Sequence, residues 1–156
     1  MSTDTPILSI KNIEVLYSRV ISALHGVSIE VQKGEVVSLL GANGAGKTTT
    51  CKAVSRLLEA ERGEVSKGSI EYNGVDIKTM SPYDMVKAGV VQVLEGRHIF
   101  GHLTVEENLL TGSFIRNADS ASVKRDLEYV YSRFNRIKDR RKNLGCLLSH
   151  LRAHET

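Results

Sequence analysis

The 156-residue sequence holds little material for disulfide or membrane chemistry. Its two cysteines, Cys51 and Cys146, are far apart and show no ligand spacing, which excludes a disulfide scaffold and points to reduced thiols. No apolar run approaches the ~20 residues of a membrane helix. The most apolar stretch near the front, residues 36–40, is short and interrupted by Ser38. Residues 1–6 carry neither a basic region nor an apolar one, so no secretory signal is read there. There is no internal repeat and no low-complexity tract. With 41% hydrophobic and 25% charged residues, the composition excludes a disordered or collagenous chain. By length alone the expectation is one soluble, cytosolic domain of roughly 100–200 residues.

The net charge of +3 is unevenly spread. Residues 116–142 hold nine Lys or Arg against four Asp or Glu, while the remainder holds twelve against fourteen. The ordinary reading of such a run is a solvated helix face; nucleic acid or anionic head groups are the partners it would otherwise suit.

The first third reads as strands. Leu8 and Ile10 share one parity and Ile13, Val15 and Tyr17 the other, so a bulge or bend is expected at Lys11-Asn12. Residues 27–31 alternate again before the turn signal Lys33-Gly34. Residues 36–40 and 90–94 are nearly continuous in apolar character, the pattern of strands buried on both faces, though Gln92 interrupts the second. Residues 47–58 open a helical pattern, and 69–72 read as a strand entering the turn Asn73-Gly74. Ser81-Pro82-Tyr83-Asp84 and Thr104-Val105-Glu106-Glu107 are both helix starts of the capping-box kind, and Gly112 stops the second helix. From Ser120 onward Val123, Leu127, Val130, Tyr131 and Phe134 recur at helical spacing, the pattern of a packed face.

Between the first buried-strand pattern and the first helix lies Gly41-Ala42-Asn43-Gly44-Ala45-Gly46-Lys47-Thr48, a full match to G-x-x-x-x-G-K-[ST]. Glycines let the backbone wrap an oligophosphate with successive N–H groups turned inward. The helix that follows offers its positive end to the same anion. Lys47 brings a point charge to the β- and γ-phosphates, and the Thr48 hydroxyl suits the Mg2+ shell. Binding of a nucleoside triphosphate follows; which reaction uses it does not, because kinases, GTPases and transport ATPases share the loop.

The stretch G-A-N-G-A-G-K-T-T-T, with Tyr17 before it and V-L-E-G-R after it, resembles the ATP-binding subunit of ABC transporters, from about Leu8 to Ser149. The segments A-L-H-G-V-S-I-E-V, G-V-V-Q-V-L-E-G-R and L-T-V-E-E-N-L-L-T-G resemble the branched-chain amino acid importer, in its second, F-type ATPase subunit. Urea transporters and a more distant lipopolysaccharide exporter are alternatives within the family. A nucleoside kinase or GTPase is disfavoured, since no Asn-Lys-x-Asp guanine motif occurs. The resemblance implies an α/β P-loop fold of ABC type: an antiparallel β subdomain, a partial parallel core sheet and a helical subdomain. It implies ATP and Mg2+ as cofactors, held by Gly41, Ala42, Asn43, Gly44, Ala45, Gly46, Lys47, Thr48 and Thr49, with Tyr17 stacked on adenine. It assigns Glu95, rather than Gln92, to the loop position near Mg2+ and the attacking water, so that Lys47 and Glu95 are the catalytic candidates and Thr48 and Glu95 the metal ones. Leu94 stands where the subgroup has proline, which removes a rigid φ. His98 and His102 lack a shared helical face and are not expected to form a metal pair. The implied partners are a second ATP-binding subunit and inner-membrane permease subunits, with no nucleic acid, at the cytoplasmic face of the inner membrane.

Hydrolysis needs further groups: a second carboxylate on Mg2+, an orienter for the water, and charge across the γ-phosphate. In the family these come from a Walker B strand ending in Asp-Glu, a His switch and an L-S-G-G-[QE] signature. No Asp-Glu dipeptide occurs in this sequence, and the signature begins at Leu148-Ser149 and breaks at His150. Residues 1–149 are therefore expected to be the N-terminal two-thirds of an ABC ATP-binding domain, truncated within the signature, with 150–156 a non-matching tail. By resemblance the chain is a transport ATPase subunit that couples ATP binding and hydrolysis to branched-chain amino acid uptake, without the Walker B strand, full signature and His switch; a non-hydrolysing ATP-binding fragment is the alternative. The strands missing from it would flank residues 36–40 and 90–94, so both segments are expected to expose apolar edges.

Overall fold

The computed structural model of the chain describes residues 5–96, 98–116 and 119–150, with side chains through residue 147. Arg97 and residues 151–156, the end of V-L-E-G-R and most of the expected tail, lie outside the described residues, as do the side chains where the signature was read. The fold divides into two compact units between Gln92 and Val93.

The first unit is built on a four-stranded antiparallel sheet of order β2-β1-β3-β4, with β1 Leu8–Tyr17, β2 Ile21–Val31, β3 Gly63–Tyr72 and β4 Val75–Asp76. The change of parity in the sequence is a bulge. Ile10 pairs with Ile29 but Ile13 with Val27, and Lys11 pairs with Ser69 but Glu14 with Lys67. One extra residue of β1 is thus accommodated against both neighbours. Asn12 takes it up at φ +48, and its N–H donates to Ser28 Oγ at 2.8 Å. Opposite, Gly68 has φ +80, and a Cβ there would lie 2.3 Å from the Lys11 carbonyl oxygen. The bulge turns Ile10, Ile13 and Val15 to one side, where they meet Leu24, Ile70, Ile77, Ala53 of helix α1 (Lys47–Val54) and Met85 of helix α2 (Pro82–Lys87). Ile13, Val15, Ile77 and Met85 are the largest fully buried side chains, each stabilising the unit by about 1.5–3 kcal/mol.

The strands are longer than the patterns suggested. β2 begins at Ile21 rather than residue 27, and β3 at Gly63 rather than residue 69, because ladder bonds to β1 recruit the polar and glycine-rich ends. Helix α1 is shorter, ending at Val54, with Leu58 buried beyond it. The expected buried strands at 36–40 and 90–94 are corrected: neither segment is a strand. A parallel strand exists only through neighbours that take its hydrogen bonds, and among the described residues neither has one. The expected exposure does occur, with Val36 at 91%, Leu40 at 92% and Val93 at 91% of full exposure.

The second unit is helical: α3 Val105–Thr111, α4 Ser120–Arg133, α5 Asn135–Asp139 and α6 Gly145–His150. Thr104 and Glu107 form the capping box read from the sequence, and Asp119 caps α4 by accepting from Ser122 N–H at 2.7 Å. Asn108 holds the turn before α3 together. Its Oδ1 accepts from Phe100 N–H at 2.8 Å, and its Nδ2 donates to the Phe100 and Thr104 carbonyls at 3.0 and 2.9 Å. Val105 N–H donates to Asn143 O at 2.9 Å, tying α3 to the segment before α6. Of the helical pattern in α4, Tyr131 alone is fully buried; Val123, Leu127 and Val130 are half-buried and Phe134 is exposed at the helix end. The Tyr131 hydroxyl donates to Glu106 Oε2 at 2.7 Å, and burial followed by that bond pushes its pKa up to about 12.

Three carboxylates at helix starts share one electrostatic signature. Asp84, Glu107 and Asp119 are each held below the usual carboxylate range by hydrogen bonds from their capping partners Ser81, Thr104 and Ser122. A carboxylate whose acidity is strengthened on folding stabilises the fold above its unfolded pKa of ~4, and that contribution disappears as pH falls through the lower folded value. The thermal midpoint is therefore expected to fall as pH drops below ~4. The triple variant Asp84→Asn, Glu107→Gln, Asp119→Asn should flatten that fall while keeping its caps, because an amide oxygen accepts the same hydrogen bonds at the Asp119 N-cap and at the capping-box positions of Asp84 and Glu107. An equally steep fall in the triple variant would contradict the assignment.

Candidate functional site: the phosphate loop

Residues 41–46 leave the exposed segment 36–40 and run into α1, whose first residue is Lys47. Gly46 is the N-cap, at φ +86 in the left-handed region, and Gly44 has φ +85. A Cβ on Gly46 would stand 2.3 Å from Leu24 Cδ2 and 3.3 Å from the Ala23 carbonyl oxygen. The glycine is thus demanded twice, by conformation and by the close approach of β2. A Cβ on Gly44 would meet nothing within 4 Å, so that glycine serves its backbone angle alone. Thr50 anchors the first turn from inside: it is buried, and its hydroxyl donates to Gly46 O at 3.0 Å. At the other end of α1 the buried Ser55 hydroxyl donates to Gln92 Oε1. That bond gives Gln92 a structural partner which spacing alone does not reveal.

The loop presents donors. Ala45 N–H closes a turn on Ala42 O at 3.2 Å, while the amides of Asn43, Gly44, Gly46, Lys47 and Thr48 find no acceptor among the described residues. No acidic residue stands in the first turn of α1. Lys47 Nζ donates to the carbonyls of Gly41 and Ala42, both at 2.7 Å, so the ammonium lies across the loop. An arriving anion competes with those two neutral carbonyls for the charge, and a charge-assisted bond is the stronger. Thr48 is exposed on the same turn, and Thr49 is half-buried behind it. A polyphosphate carrying a divalent cation fits this set: left-handed glycines, unengaged amides, one cation and a free hydroxyl.

The other candidates lie elsewhere. Tyr17 is the last residue of β1, half-buried, with its ring against Gly63, where a Cβ would stand 2.8 Å from Cε1. Glu95 lies in the second unit on an exposed loop, its carbonyl bonded to His98 Nε2 at 2.7 Å. The structure therefore brings together residues 41–49, keeps Tyr17 in the same unit, and leaves Glu95 in the other. His102 places its ring edge toward Phe100 at 6.3 Å rather than toward His98. Cys51 and Cys146 form no disulfide. Asn108 and Gln92 are the positioning residues that sequence reading missed or set aside. Asn108 carried a faint signal, standing four residues past the Thr104 cap.

Residues 24–151 match the protein family described as ABC transporter. The chain is 39% identical over 133 residues to the high-affinity branched-chain amino acid transport ATP-binding protein BraG of Pseudomonas aeruginosa, covering 85% of this chain and 54% of that protein. It is 36% identical over 107 residues to the phosphonates import ATP-binding protein PhnC of Alcaligenes faecalis, covering 67% of this chain and 37% of that one. The chain thus spans about half the length, or less, of the curated relatives it matches. In fold it is similar to CbiO1 from Clostridium perfringens, part of the ABC transporter complex CbiONQ. The TM-score is 0.71 at 20% identity, over 89% of this chain and 54% of that one.

The double demand on Gly46 is measurable. Gly46→Ala is expected to cost about 1–3 kcal/mol in denaturant unfolding, from left-handed strain plus the approach to Leu24. Leu24→Ala removes the atom in the way, so the double variant should lose less than the two single losses together. Strict additivity would contradict the contact.

Proposed function

The chain belongs to the ABC transporter family, and from that premise we propose that it binds ATP with Mg2+ as the nucleotide-binding part of an importer subunit for branched-chain amino acids. The observation that carries the reading is the phosphate loop, where the amides of Asn43, Gly44, Gly46, Lys47 and Thr48 find no acceptor among the described residues and Lys47 is the one cation. Those amides and the positive end of α1 bind and orient the oligophosphate, Lys47 holds the β- and γ-phosphates, and the Thr48 hydroxyl takes a place on Mg2+. Tyr17 offers an aromatic face to adenine, and Glu95 is assigned as a catalytic carboxylate by the resemblance alone. Mg2+, held in part by the Thr48 hydroxyl, would neutralise phosphate charge.

The cargo assignment rests on the likeness to BraG, which is broader and higher in identity than that to PhnC. In this reading, a second ATP-binding subunit and permease subunits complete the transporter at the cytoplasmic face of the inner membrane, and nucleic acid plays no part. Among the described residues no helix is long and apolar enough to cross a membrane. Residues 1–149 form part of one ATP-binding domain. The 156 residues contain no Asp-Glu pair to supply the second carboxylate and the water's orienter. This chain by itself therefore holds ATP without turning it over.

A fluorescent ATP analogue should bind the chain with Mg2+, and Lys47→Ala should weaken binding by at least ~10-fold, the loss of one charge-assisted contact. Phosphate release should stay at background for both proteins. Equal analogue signal from both would remove the loop as the site. Phosphate release that depends on Lys47 would contradict binding without turnover.

A further inference from the structure

The positive charge of the second unit is narrower than composition alone shows. Residues 116–132 carry three Lys or Arg against three Asp or Glu, and residues 133–142 carry six against one. The whole excess sits in ten residues around α5: Arg133, Arg136, Lys138, Arg140, Arg141 and Lys142, with Asp139 the only acid among them. Glu106 lies 3.7 Å from Arg141 Nε, while Asp126 is engaged by Arg116. Lys138 and Lys142 are exposed.

Two aromatic residues stand within this field. Phe134, at the break between α4 and α5, is 58% exposed, and Tyr129 is 62% exposed with the Arg133 guanidinium 5.3 Å from its ring centre. Phe134 is apolar and more than half exposed among the described residues, so its transfer into an apolar medium is favourable. From this juxtaposition we infer that residues 133–142 with Phe134 form a docking surface for an anionic phospholipid bilayer. Cations clustered on a short segment are drawn to the negative surface of such a bilayer, and a ring beside them enters the head-group layer. Charge complementarity selects the bilayer's anionic component. The exposed apolar ring separates this surface from one that meets only phosphates. Nucleic acid is the weaker fit, because the Arg133 guanidinium already faces the Tyr129 ring that would stack on a base. The inference is independent of the phosphate loop, which lies in the other unit.

The test is cosedimentation of the full chain with vesicles. Equimolar phosphatidylglycerol and phosphatidylcholine should carry the chain down at low salt and release it at high salt, while pure phosphatidylcholine should not carry it down. Lys138→Gln, Arg140→Gln and Lys142→Gln together should lower partitioning roughly 100-fold, at about five-fold per cation. Lys124→Gln with Arg125→Gln removes charge from the balanced stretch and should leave partitioning nearly unchanged. Far-UV circular dichroism shows whether the triple variant keeps its fold. The salt release of the unaltered chain reads the same claim without any variant. Equal sedimentation with both vesicle types, equal loss in the two charge variants, salt-independent binding, or tighter binding to an oligonucleotide than to the anionic vesicles would each overturn the proposal.

Discussion

The contact between Gly46 and Leu24 joins the sheet to everything the first unit does. β2 brings Leu24 so close to the start of α1 that a Cβ at residue 46 would stand 2.3 Å from Leu24 Cδ2, and Gly46 takes a left-handed conformation there. The bulge at Asn12 sets the same arrangement from the other side. By reversing the parity of β1 it places Ile13 and Val15, as well as Ile10, in the core that receives Ala53 of α1. With α1 seated by that core and by the Thr50 hydroxyl, the loop needs no contact to any other unit to keep its shape.

Local chemistry was legible in the sequence wherever it depended on neighbours a few residues away. The caps at Ser81 and Thr104, the bulge at Lys11-Asn12 and the loop from Gly41 to Lys47 all stand where their residue types demand. What failed depended on partners distant in the chain. Residues 36–40 and 90–94 have the composition of buried strands, yet composition does not supply hydrogen-bonding neighbours, and both segments lie exposed. β3 shows the reverse case, because its strand pattern was read only from residue 69 while the ladder begins at Gly63. Pairing with β1 overrides the weak strand preference of its glycine and lysine residues.

The candidate site divides along the same line. Residues 41–49 form a contiguous stretch, so their grouping was readable from spacing alone. Tyr17 and Glu95 were placed by resemblance, and they stand in a strand end and in the second unit. Asn108 shows what spacing misses: a single side chain that serves the Phe100 and Thr104 backbones at once, in a helix whose pattern marks it only as polar.

The central claim is that the amides at the start of α1 form an anion cradle. Backbone amide NMR of Gly44, Gly46, Lys47 and Thr48 during titration with Mg2+ and ATP tests it most directly. The account predicts large, saturable shifts at those four amides with ATP and little movement with adenosine, which has the base and sugar but no phosphate. Unmoved amides at saturating ATP, or the same shifts with adenosine, would contradict it.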